Sequence, residues 1–504
     1  MWGKSIVAAA LAAVLLGGPA EASERDNSLI IAADQVPESI DAYFNNVRIG
    51  VILAHHIWDH LVYRDPKTNE YMGELATAWK WVDDKTLEFD LRPGVKFHNG
   101  DTFGADDVVT TLNFVSKPEN KSTTQQNVNW IESAEKVGDM KVRVHTKKPF
   151  PAALEYLAGP VVIYPGKYYL QVGPKGMSDK PVGSGPYKVV EHQPGRLIRL
   201  ERNKDYFKDS PKGQPTIDKI ELRLIPDRDT QIAELMSGGV DWIYNVSPDA
   251  AQQLAAVPDL KVASGETMRI VFLHFNTTEK TAVPALRDLK VRQAIAYAID
   301  RPAMVKKLVG ETARVLNTVC FPAQFGCTDE GAPRFAYDPA KAKQLLAEAG
   351  FKDGLDVDIY GYRERDQVEG LIGYLRAVGI KANLRFMQYA AMRDAVRDGK
   401  AAMAVQTWGS FSVNDVSAST PVYFKFQDDD VTRDPQVRDW LNEGDTSIDP
   451  NVRKAAYKKA LDRIAEQVYA VPLWSLPVNY AFTKDLVFTP YPDELPRFWE
   501  AKWK

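Results

Sequence analysis

The chain reads as an α/β protein built on a parallel sheet, and three observations predict this. Residues 355–360, 380–386 and 401–405 are short runs rich in small or branched apolar side chains, the pattern of strands buried on both faces. Between them, residues 368–378 and the segment ending near Arg397 carry apolar side chains at helical spacing. Strand, helix, strand, helix, strand in succession implies parallel strands with the ligand face at their carboxyl ends. That face holds two loops, 361–366 and 408–417.

The second loop follows a rigid strand of small residues. It offers an indole (Trp408), a hydroxyl (Ser410), a phenyl ring (Phe411), an amide (Asn414) and a carboxylate (Asp415), all candidates for solute contact. The competing structural reading is that Trp408 caps the core and the loop is a surface turn. The first loop supplies Tyr362, Arg363 and Arg365, with solvated surface charge as the alternative for each arginine.

The 504 residues, 45% of them hydrophobic, are enough for two or three domains. With 63 Lys+Arg against 67 Asp+Glu, both signs interspersed, there is no basic footprint for nucleic acid and no polybasic membrane arm. At the N-terminus, Lys4, the apolar run 5–16 and Ala20-Glu-Ala22 form a signal-peptide pattern with cleavage expected near Ala22. No later run reaches the roughly 20 apolar residues of a membrane span, so a soluble exported protein is expected. Export predicts that the only two cysteines, Cys320 and Cys327, close a disulfide across a Pro- and Gly-containing loop.

In chain order, residues 29–33 form a strand that opens into a polar loop beginning Asp34, Gln35, two further candidates for solute contact. Ile49, Leu53, Ile57 and Leu61 predict a helix over 48–61. His56 and His60 stand four apart, a spacing at which two imidazoles can share a metal. No acidic third ligand sits at a matching offset, so His55, His56 and His60 are expected on the surface of an amphipathic helix, with no metal and no cofactor. Residues 86–91 form a strand, and Asp101 or Thr102 can cap the helix that follows, with Asp106 and Asp107 in its first turn.

Residues 159–185 shift to Pro, Gly and Tyr and mark a domain boundary. The Gly183-Ser-Gly185 triplet has neither the frame of a nucleophile elbow nor the lysine of a phosphate loop, so close backbone packing explains it better. Strands are expected at 217–225, 240–243 and 269–275. One helix is expected over 286–301, from Val291, Ala294, Ile295, Ala298 and Ile299. Asp338 and Pro339 start a helix that Gly350 ends. Residues 451–467 are helical and 469–474 a strand. The aromatic tail (Phe488, Tyr491, Phe498, Trp499, Trp503) is too apolar to hang free and must pack on an earlier domain.

Several stretches together resemble the periplasmic solute-binding proteins of ABC importers, family 5, the dipeptide, oligopeptide and nickel-binding type. They are Phe89-Asp-Leu-Arg-Pro-Gly-Val-Lys-Phe-His-Asn-Gly100 with Ala105-Asp-Asp-Val-Val109, Pro181-Val-Gly-Ser-Gly-Pro-Tyr187, Leu200-Glu-Arg-Asn203 with Tyr206, and Phe275-Asn-Thr277. Further along come Val291-Arg-Gln-Ala-Ile-Ala-Tyr-Ala-Ile-Asp-Arg301, Tyr337-Asp-Pro339 and Pro472-Leu-Trp474. The resemblance implies a two-lobed α/β fold (class II, cluster C type) with an additional domain inserted in the first lobe. Its divisions are 1–22 signal peptide; 23–65, 180–275 and 481–504 first-lobe main domain; 66–179 inserted domain; 276–480 second lobe. Hinges are expected near 275–277 and 476–480.

The resemblance also implies that Asp415 holds one end of the solute and Arg363 or Arg365 the other, since a buried ammonium needs an anion and a carboxylate suits the guanidinium fork. Similar proteins usually carry an Asp-Pro pair in the tryptophan loop, where this chain has Asn414-Asp415-Val416-Ser417. That departure leaves a peptide, an opine, a betaine-like compound or another amino-acid derivative open. The expected partners are an inner-membrane ABC permease and its ATPase, with a monomeric, non-catalytic receptor in the periplasm. The alternatives are an exported hydrolase, which lacks any motif around the seven histidines, and a metal-chelate or haem receptor, for which His55, His56, His60 and His98 are the only handles.

Overall fold

The computed structural model describes residue 24 and residues 26–504 apart from 36, 38 and 46, so the expected signal peptide lies outside the described residues. Two large sheets organise the chain. The first has seven strands in the order Leu260–Gly265, Val478–Thr483, Trp242–Tyr244, Ser28–Ala33, Lys219–Leu224, Leu197–Arg202 and Tyr187–Gln193. The second has five, in the order Ile380–Phe386, Leu355–Gly361, Met403–Trp408, Ile270–Phe275 and Ala470–Ser475. A four-stranded antiparallel sheet (Ala76–Asp83, Thr86–Leu91, Lys141–Thr146, Ile131–Gly138), covered by helix Ala105–Val115, lies between the first two strand groups of the first lobe in sequence. Each large sheet has its own apolar core, the second built on Leu273, Ile295, Leu346, Ile359 and Leu371, all at or near zero exposure. The result is the two-lobed α/β architecture expected from the sequence.

In the five-stranded sheet Leu355–Gly361 runs parallel to both Ile380–Phe386 and Met403–Trp408, as the alternation predicts. The sheet as a whole is mixed, because Ile270–Phe275 pairs antiparallel to Met403–Trp408 and to Ala470–Ser475. The division was expected after 275, and the strand at 270–275 pairs within the five-stranded sheet. All six of its residues are buried, which suits the interior of a sheet covered on both faces. The chain therefore crosses between the large sheets at 266–269 and 476–477. The two crossings are tied together, with Leu476 N donating to Arg269 O at 2.8 Å and Thr267 Oγ1 to Leu476 O at 2.5 Å.

Two helices differ from expectation. The helix expected over 286–301 is a short 3-10 turn, Pro284–Arg287, then Leu289–Ala298, then a separate turn Arg301–Met304 capped by Asp300. Pro302 has no N–H to extend the first helix and sits at the start of the next, where none is needed. The helix expected over 48–61 is Arg48–Ile57, because Trp58 is extended and its indole donates to Val182 O at 2.9 Å. Here the Gly183-Ser-Gly185 triplet crosses the helix end. A Cβ on Gly183 would lie 1.9 Å from Ile57 O and one on Gly185 2.5 Å from His56 O, so close backbone packing is what those glycines serve.

The three histidines are not on a helix surface. His55, His56 and His60 are all buried, and His60 lies beyond the helix. His56 Nδ1 bonds Ile52 O, and its Nε2 accepts from Phe498 N at 3.1 Å, so the aromatic tail is seated on this helix. Phe488 and Phe498 pack on Trp242, and Trp503 Nε1 donates to Ser28 O, which returns the tail to the first lobe as its composition requires. Helix Ala105–Val115 is capped at Gly104, not at Asp101 or Thr102, and Asp107 accepts from Gly104 N at 2.9 Å.

Candidate functional site

The parallel strands Leu355–Gly361 and Met403–Trp408 deliver the two sequence-identified loops to one edge of the second lobe, facing the first. Tyr362 is hydrogen-bonded to Thr407 Oγ1 and its ring meets Tyr389 at 4.9 Å, joining the loops. Trp408 is half-buried; its indole donates to Ala418 O at 2.7 Å and it stands edge-on to Tyr423. Arg363 is half-exposed beside Glu364 and lines the interlobe cavity. Arg365 is not part of that wall: it is exposed, pairs with Glu369 one helical turn on and lies over Phe386.

Asp415 is not a free anchor. It is 2% exposed, and one guanidinium nitrogen of Arg453 reaches both its oxygens at 2.9 and 2.8 Å, while its Oδ1 also accepts from Ser417 N. Both charges are removed from water, so the pair is an internal element of the second lobe. Ser410 is likewise turned inward, donating to Val413 O and accepting from Gln324 Nε2 at 2.9 Å each. Gln324 belongs to the loop closed by the Cys320–Cys327 disulfide, which is present. The same loop pairs with the tryptophan loop through Phe325 N to Asn414 O and Val416 N to Phe325 O. Phe411 lies in the 3-10 turn Ser410–Ser412, its side chain outside the described parts.

The tip of the tryptophan loop touches the first lobe. Ser412 Oγ accepts from Arg48 Nη1 at 2.8 Å and donates to Asp493 O at 2.5 Å, and Asn414 N donates to the Glu155 carboxylate at 2.8 Å. Glu155 also accepts from Tyr71 at 2.6 Å and faces Arg64 at 3.3 Å. Asp493 is clamped by Arg497 at 2.7 Å; burial alone would push its carboxyl up, yet the Arg497 and Arg64 guanidiniums hold it below the usual range. Beside the tip, His55, Tyr63, Arg64, Arg497 and Trp499 enclose a cavity of about 30 Å³, room for about one water.

Further along the cleft is the larger space, about 820 Å³, walled by Tyr244, Asn245 and Glu494 from the first lobe, Arg269 from the crossing segment, and Lys307, Arg363 and Glu364 from the second. Glu494 spans the lobes, meeting Arg48 at 2.9 Å and Arg269 at 3.1 Å. Its burial works against ionisation, but Arg269, Arg48 and Arg363 together hold its carboxyl below the ordinary value. Asp34 pairs with Arg228, which lines that space, at 2.9 Å and is approached by Tyr244 Oη at 3.5 Å; Gln35 beside it is exposed.

Behind the small cavity lies a charged cluster that the sequence did not suggest. Lys212, fully buried, meets Asp59 at 2.8 Å and Glu74 at 3.0 Å, and Glu74 meets His60 Nδ1 at 3.2 Å. Lys212 thus bridges the two carboxylates, while Asp59 Oδ2 is buried without a hydrogen-bond partner among the described residues. Among the described residues there is no group of three or more His, Cys, Asp or Glu arranged to hold a metal. His98 is also occupied, between Gly183 N and Gly185 O.

Residues 70–430 match the family of bacterial extracellular solute-binding proteins, family 5, middle region. A glutathione-binding protein, GsiB, of Salmonella paratyphi A is 26% identical over 500 residues, 96% of this chain and 95% of the relative. Among solved structures, the ABC transporter substrate-binding protein CtaP of Listeria monocytogenes superposes with a TM-score of 0.84 at 22% identity, over 94% of this chain and 99% of that one. The binding protein AgaA of A. tumefaciens, in complex with agropinic acid, gives 0.74 at 25% identity, over 95% and 99%.

Proposed function

We propose that this chain, which belongs to the family 5 bacterial extracellular solute-binding proteins, captures a small polar solute derived from a peptide or an amino acid, opines included, between its two lobes and passes it to the permease of an ABC importer. The observation that carries the reading is the cavity of about 820 Å³, walled by both lobes and crossed by the Arg269–Glu494 ion pair. Spaces of this size suit a ligand of a few hundred daltons, and enclosure between rigid lobes replaces water by fixed charges and dipoles. The proposed contacts are Arg363, Tyr362 and Trp408 from the second lobe and Asp34, Arg48 and Glu494 from the first. Asp415, Asn414 and Ser410 shape the loop from behind.

The domain division proposed is a first lobe of 24–265 and 478–504, with 66–179 as its inserted part, and a second lobe of 270–475. The receptor is taken to act as a periplasmic monomer after cleavage near Ala22, without turning its solute over. Relatives whose names describe binding, not hydrolysis, favour this over the exported-hydrolase alternative. The histidines invoked for a metal chelate or haem are buried or already bonded, so they offer that alternative little. Native mass spectrometry of freshly purified protein, with identification of any carried-over solute, is the test. A defined solute whose return compacts the protein in solution scattering supports the reading, and saturating solute that leaves the scattering profile unchanged refutes it.

A further inference from the structure

The tip of the tryptophan loop is strained. Ser410 and Ser412 both stand in the left-handed region, at φ 46° and 66°, where a side chain is unfavourable and glycine is the usual occupant. Such conformations persist only where the surroundings over-determine them. The two serines are held from opposite sides. Ser410 is fastened within the second lobe, to Val413 O and Gln324. Ser412 keeps one bond of that kind, its N–H to Gly409 O at 2.9 Å, and is otherwise held from across the cleft, its hydroxyl by Arg48 and Asp493 O and its carbonyl by Arg64.

Two of the groups that reach across meet the main chain. Arg64 Nη2 donates to Ser412 O at 3.3 Å, and the Glu155 carboxylate accepts from Asn414 N at 2.8 Å. A guanidinium on one carbonyl and a carboxylate on the N–H two residues further make complementary grips, and neither depends on the side chains the loop carries. The grips are themselves braced. Arg64 and Tyr71 are cross-strand partners in the hairpin of Val62–Arg64 and Tyr71–Gly73. Tyr71 Oη donates to Glu155 at 2.6 Å, and Arg64 meets the same carboxylate at 3.3 Å, Asn69 at 2.8 Å and Asp493 at 3.8 Å. Glu155 itself is carried by the helix Ala153–Ala158. Both side chains are largely buried, so their bonds to the loop form with little competition from water.

Resting on the receptor reading, we infer that Arg64 and Glu155 are positioning residues for capture: the first lobe grips the main chain of the tryptophan loop at 412–414, and Ser412 takes up its left-handed conformation as the lobes meet, not before. Neither residue needs to touch the solute. Closure has to supply the strain at Ser412, so the same conformation that completes the loop lowers affinity and favours release.

Isothermal titration with the dipeptides Ala-Phe, Ala-Glu and Ala-Lys, one neutral, one acidic and one basic in its side chain, tests this. Ser412→Gly and Ser412→Ala lose the same hydroxyl, and only the glycine relieves the strain. Strain acquired on closure shows in affinity, so Ser412→Gly should bind whichever dipeptides the parent binds about fivefold more tightly than Ser412→Ala does. A loop shaped before closure would carry the same strain with and without solute, and the glycine would then change stability and not affinity. Glu155→Ala should weaken binding by about tenfold, and Glu155→Gln, whose amide oxygen still accepts from Asn414 N, by no more than about threefold. Hydrogen exchange at the Asn414 amide should quicken in Glu155→Ala and stay slow in Glu155→Gln. Equal affinities in Ser412→Gly and Ser412→Ala, or a Glu155→Ala protein that binds as the parent does, overturn the inference and leave the receptor standing. A parent that binds none of the three dipeptides overturns both.

Discussion

Replacing Asp415 by alanine separates two roles for the tryptophan-loop carboxylate. If it were a solute anchor facing the cleft, its loss would weaken binding and leave stability nearly untouched. The geometry says the reverse. The Arg453 and Asp415 side chains are 6% and 3% exposed, at 2.8 Å. Without Asp415, Arg453 keeps only Gly444 O at 2.8 Å, Tyr457 Oη at 3.2 Å and the face of Phe325, none of which carries charge. Asp445 cannot take over, because Lys425 and Tyr457 already hold it. Removing one partner of a buried pair costs about 3 to 5 kcal/mol, which for a lobe of this size lowers the melting temperature by about 6 to 20 °C. Urea unfolding followed by tryptophan fluorescence reads the loss as a lower midpoint. Asp415→Leu combined with Arg453→Met should recover part of it, since an apolar pair leaves no stranded charge. An alanine variant within about 1 kcal/mol of the parent whose solute affinity nonetheless collapses refutes the assignment.

Three further outcomes are expected. Ser412→Ala removes the hydroxyl shared by Arg48 and Asp493, and should weaken solute binding by about 1 to 2 kcal/mol while expanding the liganded protein in solution scattering; unchanged affinity and dimensions would count against loop-tip docking. Burial pushes His56 and His60 down to about 3, and His98 and His274 to about 4. The unfolded chain takes up protons on these rings below about 6.5 and the folded chain does not, so stability is complete above pH 6.5 and declines as pH falls. The loss is about 1.4 kcal/mol per pH unit for each ring, against which Asp41, raised by burial to about 6, works in the opposite sense. His98→Gln should remove about one ring's share of that slope in urea midpoints taken between pH 6.5 and 4.5; an unaltered slope refutes the assignment. Cys320→Ser with Cys327→Ser opens a loop of sequence separation 7 and should cost about 2 to 3 kcal/mol, along with measurable solute affinity because the tryptophan loop loses its support.

The strands of the second lobe were legible because each is a short apolar run between clear helical periods, and Asp338 and Asp107 announce their helices by local chemistry. The strand at 270–275 was recognised as a strand but its pairing with Met403–Trp408 and Ala470–Ser475 was not, because periodicity says that a segment is buried and not which partner buries it. The helix breaks at Ile57 and Ile299 arise from Trp58 reaching Val182 and from Pro302, one of them a long-range contact. Both loops at the carboxyl ends of the parallel strands were located, since topology places them. The pairing of Asp415 with Arg453 was not legible because Arg453 lies 38 residues away on the helix Pro450–Glu466. Arg48 and Glu494, which meet across 446 residues of chain, left no local trace: one begins a helix read for its apolar face, the other sits in a tail read for its aromatic rings.

The Cys320–Cys327 ring has a consequence for the order in which the molecule becomes useful. Gln324 and Phe325, inside the ring, hold Ser410, Val413, Asn414 and Val416 of the tryptophan loop, whereas the strand carrying that loop is held by its own sheet. Sheet formation and loop shaping therefore answer to different chemistry, one to apolar burial and the other to oxidation of two thiols. A chain whose two thiols are still reduced is expected to complete its sheets before the tryptophan loop is braced.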